Sequence, residues 1–235
     1  EVNDRMRPAV NGKGSYEVIL PKFKSLVQKR GEGQYYVRGT FTKYNLDFAD
    51  DVIHLYEQGF DQISVEPVVT DPAKDYALTE QDLPKIYAEY ERLAKYIIER
   101  KKNEESINFF HFMLDLDQGP CAIKRLRGCG CGNEYVAVTP DGDIYPCHQF
   151  VGMEEWKMGS VYDGSINTKM KDDFAKANVY SKRDCKDCWA KFYCSGGCNA
   201  NNLQYAGDIR NSHKLACDLE KKRLECAIMI KAALA

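Results

Sequence analysis

The cysteines divide this chain before anything else is read from it. All ten lie at or beyond Cys121, so the first half of the 235-residue sequence carries no thiol. Cys185, Cys188, Cys194 and Cys198 follow the pattern C-x2-C-x5-C-x3-C, and Cys217 comes nineteen positions later. Upstream, Cys129 and Cys131 sit in a Gly-Cys-Gly-Cys-Gly run at 128–132, and Cys147 follows the turn signal Pro140-Asp141-Gly142. A C-x2-C turn lets two sulfurs converge on one metal centre, and Gly196-Gly197 permits a tight backbone path before Cys198. Four thiols would make one zinc site, but seven or eight suit two four-ligand centres, either iron–sulfur clusters or zinc ions. Disulfide frameworks belong mostly to short exported domains, and the start Glu1-Val2-Asn3-Asp4-Arg5 has no signal-peptide core. Close thiols in such a chain point to metal ligation in a reducing compartment, so the expected location is cytoplasmic.

Composition excludes other classes. With 44% apolar and 29% charged residues the chain is globular, and 33 basic against 35 acidic residues provide no footprint for nucleic acid or an anionic membrane. No apolar run has the length of a bilayer span.

The thiol-free half alternates helix and strand. Ser15 caps a helix to about Arg30, although Pro21 casts doubt on its first turn, and a strand follows over 34–41. Asn45 opens a helix through Gln58, a strand covers 63–69, and Thr79 with Asp82 opens the longest helix, to about Lys102. A third strand spans 108–114. Parallel strands joined by such crossovers are βαβ units, and three cannot close a barrel. Beyond residue 114 the expectation is a hairpin over 134–147, a helix at about 167–177, a cysteine-dense loop, and a last helix from about His213.

Taken together, Cys129 or Cys131, Gly142-x4-Cys147, the run Cys185–Cys198 and Cys217 resemble the seven-cysteine SPASM domain, which extends a group of radical S-adenosylmethionine (SAM) enzymes that modify peptides. The preceding strand–helix repeats are similar to the radical SAM partial barrel. The segments Asn133–Phe150, Cys188–Cys198 and Glu225–Ala235 are similar to the maturases of six-cysteine "SCIFF" peptides, which join a cysteine sulfur to a carbon of another residue. The resemblance implies an α/β chain: residues 1–114 as the C-terminal half of a radical SAM partial (β/α) barrel, and 115–235 as a SPASM domain of hairpin, loops and helices. It implies two auxiliary [4Fe-4S] clusters, one on Cys185, Cys188, Cys194 and Cys217, the other on Cys129, Cys147 and Cys198. Cys131 or Cys121 would complete the second, or its fourth position would stay open for a substrate thiol. The partners implied are a cysteine-rich precursor peptide and a reductant for the clusters, with no nucleic acid or membrane. SAM itself and a third [4Fe-4S] cluster belong to the full-length enzyme, because the C-x3-C-x2-C motif that holds them in the family has no counterpart before Cys121. A fragment of this kind is expected to be inactive alone.

Carboxyl ends of barrel strands house active sites. Arg38 and Thr40, near the end of the first strand, and Glu66, near the end of the second, are therefore candidate contacts for SAM or peptide. Asp115 and Asp117 after the third strand share that position, and surface or core roles compete for all five. Trp189, Phe192 and Tyr193 are expected to shield a cluster from water, and Cys226 to be a buried thiol. Two rivals stand beside the thioether reading: a maturase that oxidises a protein side chain, as in sulfatase maturation, and a non-catalytic zinc module with four-cysteine sites.

Overall fold

The computed structural model describes residues 1–31, 33–116, 119 and 121–235, so Asp117 lies outside the described residues. Contacts separate the chain into two compact units, one of residues 1–68, 75–114 and 225–235, the other of 69–74 and 115–224.

In the first unit, helices α1 (Val2–Met6) and α2 (Tyr16–Arg30) precede β1 (Val37–Phe41), α3 (Phe48–Glu57), β2 (Gln62–Pro67), α4 (Leu83–Lys102) and β3 (Asn108–Phe109). The strands form a parallel sheet in the order β1-β2-β3, with Val37 opposite Ile63, Thr40 opposite Glu66 and Ile63 opposite Phe109. The expected Thr79–Asp82 box forms, but it opens a 3-10 turn over Glu80–Asp82 that leads into α4: the Asp82 carboxylate accepts from the backbone N–H and the hydroxyl of Thr79, at 2.8 and 2.9 Å. Its stripe Ile86, Tyr90, Leu93, Ala94 and Ile97 is buried with Phe41, Phe48, Ile63 and Phe109. Phe41 stacks on Phe48 with ring centroids 4.3 Å apart, and Tyr90 meets Phe48 edge-on at 4.7 Å.

Three local expectations change. Helix α2 runs straight through Pro21. Asp47, not Asn45, stands before the first turn of α3, because the Asn45 amide is engaged elsewhere. It accepts from Thr42 N–H and Oγ1 and donates to Asp51. Strand β3 stops after two residues, where a 3-10 turn over Phe110–Phe112 swings Phe112 back to 4.9 Å from Phe109.

The second unit has short elements: β4 (Ala137–Val138), β5 (Asp143–Tyr145), β6 (Gly159–Ser160), β7 (Ser165–Ile166), α5 (Thr168–Lys176), α6 (Lys191–Cys194), α7 (Asn199–Ala206) and α8 (Lys214–Leu234), whose residues from Glu225 belong to the first unit. The expected hairpin is β4–β5, extended by β6 and β7 into a four-stranded antiparallel sheet. Asn167 caps α5 by accepting from Met170 N–H at 2.9 Å. The core is an aromatic triad, Phe150, Trp156 and Phe174, with centroids 5.1–5.8 Å apart. Cys131, Cys147, Ala200 and Ile209 join the same cluster. Cys226 is buried, as expected.

Candidate metal centres

The glycines of the 128–132 run place the first cysteines. Gly132 has φ +73°, and a Cβ there would lie 2.6 Å from the Phe174 ring, so only glycine lets the backbone pass that close to the core. The path sets Cys131 between two neighbours: its thiol hydrogen-bonds the sulfurs of both Cys129 and Cys147. Asn199 Nδ2 approaches Cys131 Sγ at 3.6 Å, and Tyr135 donates its hydroxyl to Cys129 Sγ at the same distance. Donation from Cys131 holds the Cys129 thiol down at about 5 and Cys147 at about 7, while Cys131 itself is driven well above the usual thiol range. Cys198 stands close enough to feel charge on Cys129 and Cys147.

A second set gathers around a cavity of about 330 Å³ lined by Cys185, Cys188, Cys194 and Cys217, with Lys191 and Lys221 at its wall. Burial pushes Cys217 up to about 11, helped by the nearby Cys185, and burial raises Cys194 as well, with Cys217 the next cause. Neutral thiols are favoured there until a cation binds.

Backbone N–H groups downstream of three of the cysteines point at their sulfurs. Gln149 and Phe150 serve Cys147, Gly196 and Gly197 serve Cys194, and Ala200 and Asn201 serve Cys198. Ser195, Gly196 and Gly197 all have positive φ, a left-handed stretch that turns these donors inward. Such donors stabilise a thiolate or a sulfur-ligated cluster. Among the described residues no three or more His, Cys, Asp or Glu converge on a point that would hold a single metal ion. Sulfurs ringing a cavity fit a polynuclear cluster, whose ligands stand further apart.

Of the remaining candidates, Cys121 is exposed. Trp189 is exposed as well. Phe192 packs edge-on against Tyr180 at 6.3 Å. On the parallel sheet, Arg38 lies at the start of β1, not near its end, because the strand begins only at Val37. Thr40 and Glu66 are each next to last in their strands and are register partners. Arg38 forms an ion pair with Glu66 on the sheet face opposite Val37 and Phe41. Sequence reasoning missed two residues of this group: His111 Nε2 lies 3.2 Å from Ser64 Oγ and 3.9 Å from Glu66. Strand register could have revealed Ser64, the partner of Arg38, but His111 sits in the unforeseen turn after β3.

Residues 129–189 match the SPASM family, an iron-sulfur cluster-binding domain. Two similar solved structures are "Native anSMEcpe with bound AdoMet" and the same protein with AdoMet and the Cp18Cys peptide. Both reach a TM-score of 0.69 over 95% of this chain, at 17% and 18% identity, and cover 63% and 64% of the compared chains. The chain shares the fold of that AdoMet-bound protein and carries a SPASM segment. An uncharacterized protein of Archaeoglobus fulgidus is 30% identical to this chain over 96 residues, 40% of it and 23% of the relative. The PqqA peptide cyclase of Methylorubrum extorquens is 32% identical over 94 residues, 38% of this chain and 24% of the relative. The matches thus span about a quarter of these curated relatives. Among the described residues no helix is long and apolar enough to cross a membrane.

Proposed function

We propose that this chain is part of a radical SAM enzyme that forms thioether crosslinks in a ribosomally made, cysteine-rich peptide. In this reading residues 1–114 are barrel and 115–235 are the SPASM domain. Cys185, Cys188, Cys194 and Cys217 hold one auxiliary [4Fe-4S] cluster, and Cys129, Cys147 and Cys198, with Cys131 as the fourth sulfur, hold the other. The observation that carries it is the gathering of eight sulfurs into two sets of four, each met by backbone N–H donors. A peptide substrate is supported by the names of the relatives, a peptide cyclase and an AdoMet-bound protein with a peptide. The thioether product is supported by the likeness of 133–150 and 188–198 to the SCIFF maturases. Ten thiols, none in a disulfide, suit a cytoplasmic setting.

Thioether formation removes one hydrogen from carbon and one from sulfur, so it releases two electrons and two protons. SAM and the third cluster of the whole enzyme would take the first hydrogen atom. The auxiliary clusters, when bound, supply an acceptor for the second electron. The residues of the chain do the rest. Downstream amides hold sulfur charge, the aromatic triad keeps the Cys131–Cys147 side dry, and the Arg38–Glu66 pair with Thr40, Ser64 and His111 offers hydrogen bonds to SAM or peptide.

The test is iron, acid-labile sulfide and zinc per chain after anaerobic purification. About eight irons and eight sulfides are expected. About two zincs without sulfide would overturn the reading in favour of the structural zinc module. With the whole enzyme and its peptide, each bridge should remove two hydrogens and one alkylatable thiol. An aldehyde in the product would instead identify an oxidising maturase.

A further inference from the structure

Lys182 is only 1% exposed. Its Nζ donates to the Gly196 carbonyl at 2.7 Å and to Asn199 Oδ1 at 3.1 Å. Both acceptors are neutral. The carboxylate that senses this lysine, Asp208, is itself engaged by Arg210 at 3.1–3.2 Å. An ammonium buried against neutral acceptors is costly, and burial accordingly holds Lys182 below the usual lysine range. Four sulfurs pull the other way: Cys185 and Cys194 of one set, Cys198 and Cys131 of the other.

The hydrogen bonds show how the lysine reaches both sets. Gly196 lies between Cys194, in the cavity set, and Cys198, which stands with Cys129 and Cys147. Its carbonyl accepts from Lys182 and from Asn202 Nδ2, at 2.7 and 3.3 Å, so the loop that joins the two sets is clamped from two sides. Asn199 passes the contact on, accepting from Lys182 and donating to Cys131 Sγ at 3.6 Å. Four thiolates outweigh a cubane core and leave the cluster anionic, and net charge and hydrogen bonds to sulfur set its potential.

We propose that Lys182 is a shared, buried counter-cation of the two cysteine sets, a positioning residue that raises the reduction potential of both auxiliary clusters and so makes them better electron acceptors. The inference rests on the two-cluster reading above and adds a residue outside the ligand set to it. A fixed positive charge favours the more negative, reduced state of each cluster, which is the direction a sink for the peptide's second electron needs.

The experiment is a redox titration, followed by electron paramagnetic resonance, of the full-length protein and its K182Q and K182R variants reconstituted with iron and sulfide. The third cluster, which has no cysteine in this chain, serves as internal reference. In K182Q the one-electron equilibrium for reduction of both auxiliary clusters should weaken about tenfold, or about 60 mV downward, while K182R stays near the native value. Loss of iron from K182Q but not K182R also supports the proposal, since charge is then what the site requires. Unchanged potentials in a loaded K182Q overturn it. So does loss of iron from both variants, which would make the side chain a packing element. Native protein devoid of iron and sulfide fails at an earlier step and removes the two-cluster reading itself.

Discussion

At the scale of single residues, position within a cysteine run matters less than what the backbone lets each sulfur touch. Cys121 and Cys131 are equal candidates by type, yet one is exposed and the other is 3% exposed between two thiols. C121S should keep its full iron complement, whereas C131S should lose about half, read as iron per chain after reconstitution. Gly132 and Phe174 form a second pair. G132A forces a left-handed alanine into the ring 2.6 Å away and should cost about 2 kcal/mol or more, and F174A about 3–5 kcal/mol from the emptied core. Together they should cost less than their sum, since removing the ring removes the clash. Urea unfolding followed by tryptophan fluorescence measures all three. Strict additivity would show that the contact is not the cause.

Elements were legible in proportion to the length of their periodicity and the strength of their end signals. Helix α4 has both, a buried stripe from Ile86 to Ile97 that repeats over about three turns and a Thr79–Asp82 box just before it, and its C-terminal bound follows from the sequence. T79A should lower the stability of the first unit by about 1 kcal/mol, seen as a drop in the urea midpoint with unchanged slope. Asn45 shows the limit of such signals. A residue able to cap can equally bridge Thr42 and Asp51, and only the neighbours decide. The two-residue strands β6 and β7 were invisible because two residues carry no alternation. They pair where Gly159 lets the Ser165 carbonyl come within 2.0 Å of where a Cβ would stand.

Over the whole molecule the two units are held in different ways. The first has a three-stranded sheet, long helices and an aromatic core. In the second, strands are two or three residues long, and in the proposed reading cluster ligation by cysteines from 129 to 217 ties its distant segments together. Stripping iron with a chelator should therefore remove hydrogen-exchange protection across 115–224 while α3, α4 and their strands keep theirs. Equal loss in both units, measured by mass spectrometry of peptides, would show that they unfold as one.

The order of helices and strands, the main caps and the concentration of thiol chemistry in one half are local properties, carried by residues within a few positions of one another, and they were readable as such. Partnership is not local. Which of two spare cysteines lies beside Cys129 and Cys147, why Arg38 meets Glu66, Ser64 and His111, and how Lys182 comes to face sulfurs of both sets depend on loops that bring residues dozens of positions apart into contact. Periodicity holds no record of that approach. It is fixed by packing and by left-handed glycines at two crossings.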